Sequence, residues 1–123
     1  MISQPLLAPH EVPMSYPNYW KRLKYPYLVS PKFDGIRGVV QSGKVLSRRM
    51  KLLRSYQVQE EFSALPRLDG ELIIGEPTAP EAYNLCQSHI MSFNKPHDDL
   101  RYYVFDCFEN TYAPFHERLS FTE

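Results

Sequence analysis

At 123 residues the chain amounts to one compact domain or part of one, long enough for a single core. Fourteen basic and fourteen acidic side chains cancel, which excludes a global cationic field and leaves any nucleic-acid role to local patches. Cys86 and Cys107 lie far apart among apolar neighbours, as reduced core thiols do, and no apolar run or leader suits a membrane; the expectation is a soluble, cytoplasmic protein.

Residues 1–26 hold five prolines (Pro5, Pro9, Pro13, Pro17, Pro26) and several tyrosines, a pattern that predicts an irregular arm against a body formed by residues 27–123. A short strand is expected over Tyr27–Ser30. Next, Lys32, Asp34, Gly35 and Arg37 crowd between two apolar runs, Tyr27-Leu28-Val29 and Val39-Val40. Two readings are open. Asp34-Gly35 can be a turn with glycine at positive φ and its flanking charges in water. Alternatively, Lys32 is drawn into a partly desolvated pocket beside another cation, loses some preference for its charged form and becomes a nucleophile.

Ile36–Gln41 and Lys44–Ser47 read as a hairpin turning at Ser42-Gly43, ending in the basic cluster Ser47-Arg48-Arg49, which by itself is ordinary solvated surface. The spacing of Val58, Phe62 and Leu65 predicts a short amphipathic helix over Tyr56–Leu65, ended by Pro66. Asp69-Gly70 reads as a turn feeding the apolar strand Leu72-Ile73-Ile74. Glu71 at its mouth is costly unless hydrogen-bonded or at the surface. Thr78-Ala79-Pro80-Glu81 has the form of a capping box and opens a helix to Met91, with Tyr83, Leu85 and Ile90 on its buried side. His10, His89, His97 and His116 have no neighbour at metal-ligand spacing, so no metal ligands are assigned. Leu100–Phe108 is the most strand-like run, expected to be central and covered on both faces, with Tyr103, Phe105 and Cys107 on one side. Pro114–Glu123 looks like the start of a helix.

Lys32-Phe33-Asp34-Gly35-Ile36-Arg37 fits Lys-x-Asp-Gly-x-Arg and resembles the nucleotidyl-acceptor motif of the covalent nucleotidyltransferases: ATP-dependent DNA ligases, RNA ligases and messenger-RNA capping enzymes. Pro5-Leu6-Leu7-Ala8 resembles the lead-in of small viral and phage DNA ligases. Ser47-Arg48 is similar to their Ser-Arg element, Asp69-Gly70-Glu71 to the second superfamily motif, and Phe105-Asp106 to the third. The resemblance runs from about Pro5 to Leu119.

That resemblance implies an α+β fold: part of a nucleotidyltransferase (ATP-grasp-like) adenylation domain, a twisted, mainly antiparallel sheet with flanking helices and a nucleotide groove lined by Lys32, Glu71 and Phe105. It implies an ATP-dependent DNA ligase that seals nicked duplex DNA through a lysyl-AMP intermediate, with Mg²⁺. Lys32 would be the nucleophile, Arg37 a ribose or phosphate contact, Arg48 a phosphate contact, and Glu71 the partner of the ribose hydroxyl. Phe105 would stack on the purine for about 1–3 kcal/mol, and Asp34 and Gly35 would set the loop geometry. A free lysine has a pKa of about 10.4, so Arg37, Arg48 and the metal would have to lower it. Nothing in the sequence resembles the superfamily's metal-holding glutamate, its Lys-x-Lys strand or its OB-fold. The expectation is therefore a fragment, a truncated product or one piece of a split enzyme, monomeric, of phage or viral type, and poor at full ligation. Alternatives are a capping guanylyltransferase or RNA ligase relative, a non-catalytic remnant that binds nucleotide or nicked DNA through Arg37, Arg48 and Arg49, and an unrelated β-rich domain.

Overall fold

The computed structural model describes residues 2–7, 26 and 32–119. The expected strand Tyr27–Ser30, most of the proline-rich arm and residues 120–123 lie outside them. Four strands form one antiparallel sheet: β1 (Ile36–Gln41), β2 (Lys44–Leu46), β3 (Leu68–Ile74) and β4 (Leu100–Cys107), in the order β2-β1-β3-β4. Among the described residues, helices α1 (Tyr56–Phe62), α2 (Ala82–Ile90) and α3 (Phe115–Leu119) accompany the sheet in a small α+β domain.

The hairpin β1–β2 turns at Ser42 (φ 55°) and Gly43 (φ 73°), as read from the sequence. In this turn positive φ at both central residues matches the twist of the flanking strands. Helix α1 is shorter than its periodicity suggested. Ser55 caps it by accepting from Val58 N–H at 3.3 Å, and Leu65 falls beyond it, exposed. Helix α2 buries Ala82, Cys86 and Ile90. These sit four apart, which leaves Tyr83 off the stripe and 50% exposed, against expectation. The expected capping box does not form, because the chain reaches α2 through successive turns and Glu81 makes no side-chain cap. Both cysteines are free and buried. The Cys86 Sγ accepts from Ile74 N–H at 3.2 Å, and burial pushes its thiol up from the ordinary value.

The core gathers Val40, Val45, Leu53, Val58, Leu72 and Ile74 with their neighbours on the side of the sheet that α1 covers. Two expectations fail here. Asp69-Gly70 is no turn: β3 runs unbroken through both, paired with β1 and β4 on either side. The most strand-like run, β4, lies at the edge of the described sheet, and its residues Tyr102 to Phe105 are only half buried. Aromatic content made it look central, but its tyrosines pack against Phe33 and Phe62 while the strand's outer edge has no described strand partner.

The close fit of β3 to β4 depends on Gly70. A Cβ there would run into the Tyr103 carbonyl oxygen and lie 2.9 Å from the Tyr102 ring. That ring crosses Gly70 to reach Gly38, where its hydroxyl donates to the carbonyl oxygen at 2.6 Å. Gly70→Ala is expected to lower unfolding free energy by about 3 kcal/mol, the upper range for forcing extra volume into a packed site. Urea denaturation checks this, with Gly43→Ala, whose Cβ would meet nothing within 4 Å, as the milder comparison.

Candidate functional site

The pairing register assembles a polar cluster on the sheet face opposite α1. Arg37, Glu71 and Tyr103 stand side by side across β1, β3 and β4, and Val39, Asp69 and Asp106 form the next row. Strand β4 carries one extra residue between these rows, at Phe105, where the β3–β4 register shifts beside Asp69 and Gly70. Simple alternation, which grouped Phe105 with Tyr103 and Cys107, therefore breaks. Cys107 pairs with Leu68 and turns to the core, whereas Phe105 comes to lie over Arg37, its ring centroid 5.0 Å from the guanidinium carbon. A bulge of this kind re-aims a side chain.

Arg37 grips Asp69 diagonally across the sheet, through Nε at 2.7 Å and Nη2 at 2.5 Å. The arginine side chain is 18% exposed and the aspartate 7%, so the pair is largely removed from water. The carboxylate fork raises the Arg37 pKa against the opposing effect of burial. Asp106, opposite Asp69, is held in the same way by Arg118 of α3, at 2.9 and 3.2 Å. Nothing in the sequence signalled Asp69 and Arg118 as partners, because each lies more than ten residues from the group it neutralises.

Glu71 is half buried, and its Oε2 accepts from Gly35 N–H at 3.1 Å. This bond folds the Lys32–Asp34 loop back over the sheet. Gly35 serves the loop by close approach, not by positive φ: a Cβ on it would strike the Leu72 carbonyl oxygen and the Ile73 side chain. The Phe33 ring packs edge-on against Tyr103 at 5.1 Å between centroids. Lys32 itself is 89% exposed, with Nζ 3.3 Å from Asp34. The expected desolvated lysine is thus not found among the described residues, and Asp34 pairs with Lys32 while Gly35 carries the loop geometry. Arg48 and Arg49 lie exposed in the turn after β2 and make no side-chain hydrogen bond or ion pair with a described residue.

Lys32, Arg37, Glu71 and Phe105, scattered over the sequence, thus share one sheet face; Arg48 stands apart at the β2 edge. The first four line neither of two clefts found among the described residues. One, about 250 Å³, lies between residues 2–6 and the Asp69–Asp106 row, and the other borders Phe62, Arg101 and Tyr102. Among the described residues no three metal-ligating side chains gather. Among the described residues Glu71 is engaged by Gly35 N–H and Asp34 by Lys32, and the two do not join a third carboxylate or imidazole in a site for Mg²⁺. His89 and His97 meet edge-on, 5.0 Å between centroids, with Nδ1 of each in a backbone hydrogen bond. No protein-family model, curated protein or solved structure matches this chain. Fold and site together define a small α+β domain with a four-stranded antiparallel sheet and a polar cluster on one face.

Two outcomes test this geometry. Asp69→Ala strands a largely buried guanidinium and should cost about 3 kcal/mol; combining it with Arg37→Met should recover much of that loss, as a double-mutant cycle by denaturant unfolding would reveal. Burial pushes the Glu71 carboxyl up, against the Gly35 N–H, Arg37 and Lys32, which pull it down. The folded state therefore holds this proton more tightly than the unfolded chain, and the ionised form costs stability once pH has risen through the raised value. Glu71→Gln should melt higher than wild type at neutral pH, with the gap closing below the ordinary glutamate value of about 4.3; a gap independent of pH would contradict the assignment.

Proposed function

We propose that this chain carries the nucleotide-accepting part of a covalent nucleotidyltransferase, with an ATP-dependent DNA ligase as the leading reading and nicked duplex DNA as the partner. The observation that supports it is the Gly35-to-Glu71 hydrogen bond, which holds the Lys32 loop over a half-buried carboxylate beside Arg37 and Phe105. Lys32 Nζ, after giving its proton to solvent, would form a bond to the α-phosphorus of ATP. The bond from that phosphorus to the bridging oxygen would break and pyrophosphate would leave with the electron pair. Glu71 Oε1, the carboxylate oxygen not bonded to Gly35, would take the ribose hydroxyl, and Phe105 would offer the purine the ring face that Arg37 does not cover. Magnesium would arrive with the triphosphate.

The exposure of Lys32 and the commitment of Arg37 to Asp69 favour a second reading, a non-catalytic domain that binds nucleotide or nicked DNA. Among the described residues no helix is long and apolar enough to cross a membrane.

Intact-mass measurement after incubation with ATP and Mg²⁺ separates the readings. Addition of one acid-labile AMP to wild type and none to Lys32→Ala is the expected result. Nucleotide affinity without an adduct would favour the non-catalytic domain, and a GMP adduct formed from GTP in preference would move the assignment to a capping guanylyltransferase.

A further inference from the structure

Between Gly35 and Gln59 the sequence holds six basic residues and no acidic one, leaving eight basic residues elsewhere against all fourteen acidic ones. Arg37 is consumed by Asp69. The other five, Lys44, Arg48, Arg49, Lys51 and Arg54, are exposed, and none forms an ion pair with a described residue. Charge neutrality of the whole chain thus hides a strongly segregated surface.

This surface is rigidly built. After β2 the chain reverses through a tight turn in which Ser47 N–H donates to the Lys51 carbonyl at 2.7 Å and Met50 N–H to the Ser47 carbonyl at 2.8 Å. The Ser47 hydroxyl accepts from the N–H groups of Arg49 and Lys51, both at 3.3 Å. Leu46 bridges Leu52, and Leu53 N–H donates to the Val45 carbonyl at 3.1 Å. From α1, Gln59 Nε2 donates to the carbonyls of Val45 and Leu53, each at 2.8 Å, and its Oε1 accepts from Val45 N–H at 2.9 Å. One side chain therefore clamps both arms of a hairpin at the sheet edge, with the cations projecting from it.

We propose that the hairpin Lys44–Arg54 is a docking surface for the phosphate backbone of duplex DNA, with Lys44, Lys51 and Arg54 extending it past Arg48 and Arg49. Cations spaced along an ordered ridge suit successive phosphates, and a surface already ordered loses little entropy when it binds. The ridge lacks the amphipathic helix with a broad apolar side by which interfacial proteins enter lipid. The inference rests on the proposed ligase reading only in preferring duplex DNA to other polyanions.

The test uses the full chain, a short labelled duplex with and without a nick, and fluorescence anisotropy between 50 and 200 mM salt, the range over which phosphate contacts lose affinity steeply. Wild type should bind both duplexes. The variant Lys44→Gln/Lys51→Gln/Arg54→Gln should bind at least tenfold more weakly, with a log K against log salt slope shallower by about 0.9 for each lost contact, roughly 2.7 in all. Its thermal melt should match wild type, because the replaced groups have no described ionic partner. An unchanged slope in the variant, no duplex binding by wild type, or binding to anionic phospholipid vesicles without duplex binding would each overturn the proposal. If Lys32 accepts no AMP and the duplex still binds with the expected slope, the docking surface stands while the adenylation reading falls.

Discussion

The cluster on the sheet face opposite α1 depends on the forked pair between Arg37 and Asp69. Asp69 and Asp106 lie directly opposite each other on neighbouring strands, where like charges repel at short range. Each is neutralised by its own arginine, Arg37 from β1 and Arg118 from α3. Such a pair adds little net stability, because two charges must leave water, yet removal of either member leaves its partner stranded. Its consequence here is positional: Arg37 is held flat, and the Phe105 ring rests on it. The extra residue in β4 allows this, letting Phe105 share a face with Arg37 while Asp106 stays opposite Asp69.

The glycines act on neighbouring parts of β1 and β3. Gly38 and Gly70 pair across β1 and β3 and clear a path for Tyr102, whose half-buried phenol is hydrogen-bonded and shifted far upward by desolvation. Gly35 lets the lysine loop close onto Leu72 and reach Glu71. Glu71 is the exception to economical packing, since burial disfavours its ionised form even beside Arg37 and Lys32.

Much of the local architecture was legible because its causes are local. The Ser42-Gly43 turn, β1, the apolar end of β3, the presence of α2 and the strand character of Leu100–Cys107 follow from turn chemistry and periodicity within short windows. Errors arose where a local signal had two physical meanings. Asp-Gly is a turn signal, but Gly35 and Gly70 are required for close backbone approach. A run of aromatics suggests a central strand, but β4 stands at the edge of the described sheet.

By itself the sequence determined most strands and helices, though not their ends, and the separation of charge around Lys44–Arg54, since each is encoded in composition and spacing. Only the tertiary structure decided that Arg37 belongs to Asp69, that Glu71 answers Gly35, that Cys107 leaves the alternation of its strand, and that Lys32 stands in solvent beside Asp34. Those outcomes rest on strand register and one bulge, which are settled by the simultaneous packing of distant segments and leave no trace in any short stretch of chain.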